Sequence, residues 1–283
     1  MPTNKPPIVL IHGLWMTPRS WEGWAKRFER AGHTVLAPSW PGFAGEVEEL
    51  RRDPSSMKNL TFRKIVDNYE RIIRSLDAPP IIMGHSLGGI VTQLLVDRGF
   101  GCAAVPVAPG QPAGVPVLPW STVRSGFSVL GNPFTFFGAP PISPKQFQYA
   151  FCNNLTAAEA QKVYDRYCVP AAARVLWEAA LSLLNPWGFT QVHAHNANRA
   201  PMLFIAGSID HVVPPVTAKA TVRYYQKRSN AVTEYKEFAG RTHFLAGQEG
   251  WEEVADYALD WALRHARNGS AGRPAVGGAR GSV

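Results

Sequence analysis

The chain has 283 residues, 46% hydrophobic, 11% aromatic and 18% charged, which fits one large domain, or a domain with an insertion, and excludes disordered, collagenous and coiled-coil chains. Its net charge of +8 is scattered in short clusters (Arg51–Arg52, Lys227–Arg228, Arg264 with Arg267) with no basic stripe among aromatics, so it reads as a solvated surface and no nucleic-acid partner is expected. Three cysteines without metal-site spacing (Cys102, Cys152, Cys168), no secretory leader and no run near ~20 apolar residues argue against disulfide scaffolds, metal sites and membrane spans, and for a cytoplasmic protein.

In chain order, IVLIH (8–12) is a short, continuously apolar run, the mark of a strand covered on both faces. Thr17 and Pro18 suit an N-cap and first helical position, ahead of Trp21, Trp24, Ala25 and Phe28 at helical spacing. HTVLAPSW (33–40) reads as a second strand. Residues 61–76 form the clearest helix, with Phe62, Ile65, Val66, Tyr69, Ile72, Ile73 and Leu76 on one stripe. PIIMG (80–84) is a strand, GGIVTQLLVDRG (88–99) a helix closing on Gly99, and CAAVPVA (102–108) another strand.

The alternation then breaks. Residues 109–199 hold many prolines and aromatics and no evident buried strand. Helices are expected in 142–152, in 155–168, which opens on the capping-box pair Thr156 and Glu159, and in 171–184. The pattern resumes with a strand at 200–207, a helix near 215–228, a strand at 233–240 and a last helix marked by Trp251, Val254, Ala258, Trp261 and His265. Strands alternating with helices predict a mostly parallel sheet of about six strands with right-handed crossovers. The expected division is a core from 7–108 and 200–266, a helical cap over it from 109–199, and a flexible tail at 267–283, rich in Gly, Ala and Ser.

The segment IIMGHSLGGI (81–90) places a serine between two glycines where a buried strand ends. A strand that turns sharply into a helix brings the flanking residues close together, and Gly84 and Gly88 relieve that crowding. Ser86 is then held at the sheet edge in a strained conformation, which costs ~1–3 kcal/mol and persists where something uses it. The amide of Leu87, at the helix N-terminus, lacks an intrahelical acceptor and favours negative charge beside Ser86. G-x-S-x-G in this context is the nucleophile-elbow pattern.

A serine hydroxyl needs a base, and the base an orienting carboxylate. His243 (AGRTH) follows the last strand and Asp210 (AGSID) the one before it, so both fall at the same carboxyl edge as Ser86. His211 is an alternative base. His12 and His85, beside the site, read as structural. A second amide donor for a developing oxyanion is expected from HGLW (12–15), at Leu14, with Gly13 allowing the tight turn.

Together HGLW, GHSLGG, GSIDHVVP and GRTH make the chain resemble the α/β-hydrolase superfamily, over about residues 7–266. The resemblance implies a Ser–His–Asp hydrolase with a helical cap, with Ser86 as nucleophile, His243 as general base and acid, Asp210 as orienting acid, and Leu14 and Leu87 as backbone oxyanion donors. HGLW departs from the HGGG of one large esterase group, which weakens any transfer of that group's substrate preferences, such as tertiary-alcohol esters. A serine in the elbow argues against the epoxide- and haloalkane-opening relatives, which use aspartate. The expected activity is hydrolysis of a hydrophobic, small to medium carboxylic ester through an acyl-enzyme, with a small-molecule substrate, no cofactor and no metal. Thioesterase, lactonase, carbon–carbon hydrolase and cofactor-free perhydrolase or haloperoxidase-like activities would use the same residues, and a ligand receptor on this fold is the non-enzymatic alternative. The substrate pocket is expected among Trp15, Trp120, Phe134, Phe136, Phe137 and Trp187. The oligomeric state is left open.

Overall fold

The computed structural model describes residues 5–185 and 187–266. The predicted tail, 267–283, lies outside the described residues. Six strands form one sheet: β1 (Ile8–Ile11), β2 (Val35–Leu36), β3 (Ile81–His85), β4 (Ala103–Val107), β5 (Met202–Gly207) and β6 (Thr233–Phe238). Their order is β2-β1-β3-β4-β5-β6, and every neighbouring pair is parallel.

The apolar runs divide by parity between two hydrophobic clusters, one on each face. Ile8, Leu10, Ile81, Met83, Leu203 and Ile205 pack on one side, against Trp24 and Phe28 of α1 (Glu22–Arg30) and Val254, Ala258 and Trp261 of α10 (Trp251–His265). Val9, Ile11, Ile82, Met202 and Phe204 face the other side. They pack there against α3 (Phe62–Arg74), α4 (Leu87–Asp97) and α9 (Pro215–Gln226). Both faces of β1, β3, β4 and β5 are covered and these strands carry no polar alternation, whereas the edge strand β6 (TEYKEF) is polar and partly exposed.

The second strand is shorter than its sequence predicts. Only Val35 and Leu36 pair with β1. The chain then leaves the sheet: the Pro38 carbonyl accepts from Tyr69 Oη at 2.6 Å, and the Trp40 amide donates to His12 Nε2 at 3.1 Å. Helix α2 (Val47–Arg52) follows, unexpected from sequence.

Between β4 and β5 lie α5 (Trp120–Leu130), α6 (Pro144–Phe151), α7 (Ala157–Tyr167) and α8 (Ala173–Leu184). The last three match the expected helices, and α7 carries the predicted box: Thr156 Oγ1 accepts the Glu159 amide while Glu159 Oε2 accepts the Thr156 amide. Polar links tie this segment to the rest. The buried Glu178 carboxylate of α8 accepts the Phe62 amide, in the first turn of α3, at 2.8 Å. Arg51, at the end of α2, donates to the carbonyls of Tyr164, Asp165 and Cys168 at the end of α7. Unpaired carbonyls at a helix C-terminus favour a cation there. Among the described residues no helix is long and apolar enough to cross a membrane.

Candidate active site

Ser86 sits between β3 and α4 with φ 57° and ψ −120°, a conformation that a residue with a side chain rarely adopts. Its backbone is pinned on both sides. The Ser86 amide donates to the Val107 carbonyl at 3.0 Å, and the Ser86 carbonyl accepts the amides of Gly89 and Gly110. The two glycines serve different contacts. A Cβ on Gly84 would strike the Gly88 carbonyl, as the turn predicts. A Cβ on Gly88 would instead strike the carbonyl oxygens of Ile11 and His12, so this glycine brings α4 against β1.

Asp210 lies in the loop after β5. Its Oδ1 accepts the amides of Val212 and Val213 at 2.7 and 2.8 Å, which fixes the carboxylate and leaves Oδ2 for His243. His243 follows β6. Its Nδ1 lies 2.7 Å from Asp210 Oδ2, and its Nε2 lies 3.0 Å from Ser86 Oγ. A carboxylate only accepts, so the partners assign the proton to Nδ1 and leave Nε2 as an acceptor for the serine hydroxyl. All three residues are buried. Three separate sheet-edge loops thus deliver an alcohol, an imidazole and a carboxylate into one hydrogen-bonded row.

Leu14 and Leu87 flank the serine. Leu87 opens α4, and neither its amide nor that of Leu14 has an acceptor among the described residues. Gly13 passes so close to the elbow that a Cβ there would lie 2.8 Å from Ser86 Cβ. Trp15 takes φ 62°, and its carbonyl accepts the Val169 amide from the inserted segment.

The other histidines are engaged elsewhere. His85 donates through Nε2 to the His243 carbonyl at 2.8 Å, with the two rings 4.7 Å apart. His12 pairs with the Gly13 carbonyl and accepts the Trp40 amide. Burial holds His12 down at about 4 and His85 at about 3, so both rings are neutral at pH 7. His211 Nδ1 donates to the Tyr149 carbonyl at 2.8 Å and its ring packs on Tyr149. Phe151 of α6 meets the His243 ring edge-on at 4.9 Å. The parts played by His85 and Phe151 depend on contacts across the chain that no local motif signals, whereas the Val212 and Val213 amides lie two and three positions after Asp210, in a local Asx-type turn. Among the described residues no group of three or more His, Cys, Asp or Glu side chains is placed to hold a metal ion.

A cavity of about 340 Å³ opens beside Ser86, bounded below by Leu14, Trp15 and Leu87 and above by α5 and α8. Its walls are mainly aliphatic. Of the aromatics expected in the pocket, only Trp15 lines it. Trp120, Phe134, Phe137 and Trp187 point into solvent, 65–90% exposed, and Phe136 packs on Phe137 and Trp177 outside the lining. The cavity is walled instead by helical stripes: Thr122, Val123, Gly126 and Leu130 on α5, and Leu176, Ala179, Ala180 and Leu183 on α8. The i, i+3, i+4 spacing on α8 is visible in the sequence. Aromatic content says nothing about which face of a helix is turned inward.

No curated protein has a significantly similar sequence. Solved structures do share the architecture. A monoacylglycerol lipase of Paleococcus ferrophilus superposes with a TM-score of 0.64 at 19% identity, over 92% of this chain and 96% of that one. An extracellular α/β-hydrolase from a Paenibacillus species gives 0.69 at 19% identity, over 93% and 100%. Polyneuridine aldehyde esterase gives 0.60 at 17% identity, over 92% and 100%. At such identities the likeness is one of fold. In sequence, residues 8–257 match the alpha/beta hydrolase family, and this stretch contains every strand of the sheet, the elbow and the loops carrying Asp210 and His243. The chain belongs to the alpha/beta hydrolase family.

Proposed function

We propose that the protein is a serine hydrolase that cleaves carboxylic esters carrying a hydrophobic, small to medium-sized group. The observation that carries this reading is the row Ser86 Oγ–His243 Nε2 (3.0 Å) and His243 Nδ1–Asp210 Oδ2 (2.7 Å), at the floor of an apolar cavity. In this mechanism His243 takes the proton of Ser86 as the hydroxyl oxygen attacks the ester carbonyl. Asp210 stabilises the imidazolium that forms. The Leu14 and Leu87 amides donate to the oxyanion, where one such donor contributes ~2.7–4 kcal/mol. His243 then protonates the leaving alcohol, and water repeats the cycle to free the acid. The inserted helices act as a cap that keeps bulk water from the acyl-enzyme.

Turnover of p-nitrophenyl butyrate by the wild type and Ser86→Ala tests this reading. The expected loss is ~10⁴-fold or more. Equal turnover by both would remove the esterase reading. Thioester, lactone and amide substrates in the same assay fix the bond that is cleaved.

A further inference from the structure

Gly126 is a glycine without a local reason. It lies in the middle of α5, is buried, and is not among the glycines with positive φ. Glycine is the poorest helix former after proline. Close packing does not demand it either. Unlike Gly84 and Gly88, a Cβ at 126 would make ordinary contacts, 3.4 Å to Leu130 Cδ1 and 4.0 Å to Leu176 Cδ2. Both of those leucines line the cavity beside Ser86, as does Gly126. The missing side chain therefore leaves space in the cavity, between α5 and α8.

The cavity, about 340 Å³, holds the equivalent of roughly ten waters and is near the small end of ligand sites. Among the described residues no charged side chain lines it. The few polar groups in the lining residues are neutral: Gln111 Nε2 gives one hydrogen to the Val117 carbonyl at 2.5 Å, and Trp15 Nε1 and Thr122 Oγ1 are buried without a partner. Such walls reject carboxylates and ammonium groups and reward apolar surface. We propose that Gly126 is a specificity-determining position: by carrying no side chain it makes room beside Ser86 for an uncharged aliphatic chain of the ester, and it sets how long a chain is accepted. This rests on the serine-hydrolase reading.

The test uses two ester series, p-nitrophenyl esters of n-alkanoic acids and acetates of n-alkanols, with the wild type, Gly126→Ala and Gly126→Leu. Each methylene buried should raise wild-type kcat/KM by about fourfold until the cavity is filled. In Gly126→Leu the rise should stop about two carbons sooner, lowering the long-to-short ratio by about tenfold or more, with Gly126→Ala between. Ala180→Leu, on the facing helix, should shift the ratio the same way, which guards against a misfolded single variant. The series that shifts identifies the acyl or the alcohol chain as the one lying along α5. A second measurement does not need catalysis: n-alkanols should raise the Tm of Ser86→Ala more as they lengthen, and Gly126→Leu on that background should flatten the trend. Wild-type profiles in both ester series, or equal alkanol stabilisation with leucine at 126, would overturn the proposal. If the wild type hydrolyses no ester, the hydrolase reading fails, and the alkanol comparison still decides what Gly126 does.

Discussion

Ser86 carries a backbone conformation that costs ~1–3 kcal/mol, and the surrounding amides and carbonyls hold it there. The strain has a chemical return only if His243 keeps the tautomer that accepts from the hydroxyl. Asp210→Asn should retain the Val212 and Val213 contacts through its amide oxygen yet allow the wrong tautomer, lowering ester kcat/KM by ~10⁴-fold with the fold intact by circular dichroism. Retention of wild-type kcat/KM would contradict the role assigned to Asp210. The buried neutral histidines make a separate prediction, about stability. In the unfolded chain each titrates near 6.5, but the folded protein holds His12 at about 4 and His85 at about 3. Above 6.5 neither state is charged, and the stability is fully present. As the pH falls below 6.5 the unfolded chain binds protons that the native state refuses. Each ring then removes about 1.4 kcal/mol per pH unit until its folded value is reached. Urea unfolding between pH 6.5 and 4.5 should show this slope, shallower by one ring's share in His12→Asn. An unchanged slope in that variant would refute the assignment. At this scale the sequence marks Ser86, Asp210 and His243 because each lies in the turn or loop that leaves the carboxyl end of a strand. His85 and Phe151 touch His243 through contacts more than ninety positions apart, which no local pattern encodes.

Among the elements, the elbow works because two glycines let α4 press on β3 and β1. A methyl at Gly88 would lie 2.4 and 2.5 Å from the Ile11 and His12 carbonyl oxygens. Gly88→Ala should therefore cost at least ~1–3 kcal/mol in urea unfolding and displace Ser86. A neutral effect would show that α4 is free to move. Glu178 is the corresponding joint for the insertion, taking the Phe62 amide through Oε2 and Arg174 Nε through Oε1. Glu178→Ala leaves a buried amide unpaired and should cost ~1–3 kcal/mol, with Glu178→Gln losing less. Equal losses in the two variants would mean that the Phe62 bond contributes little. The helices readable in sequence are those with a clean stripe or a cap, such as α3, α6 and α7. Helix α5 is not legible in sequence because WSTVRSGFSVL is rich in Ser, Thr, Val and Gly, which carry weak helix propensity, so its existence depends on packing against α6 and α8. The second strand ends sooner than its sequence suggests because Pro38 and Trp40 continue the apolar pattern while their backbones bond to α3 and His12.

For the whole molecule, the insertion is not a separate body. Phe147, Phe151, Val169 and Val175 belong to the same hydrophobic cluster as Val9, Ile82, Tyr69 and Phe204. Core and insertion should then unfold together, with coincident far-ultraviolet and tryptophan transitions and a calorimetric enthalpy equal to the van't Hoff value. Two resolved transitions would contradict a shared core. The parallel sheet is legible because its inner strands β1, β3, β4 and β5, covered on both faces, write themselves as apolar runs, while β6 (TEYKEF) at the edge does not. The cavity walls are not legible, because they depend on which faces of α5 and α8 meet. The central claim, that Ser86 is an activated nucleophile, is tested most directly by a fluorophosphonate probe with peptide mapping of the modified residue. The account predicts rapid labelling at Ser86 alone, absent in Ser86→Ala and slowed by ~10³-fold or more in His243→Ala. Labelling at another residue, or none at Ser86 in the folded wild type, would contradict it.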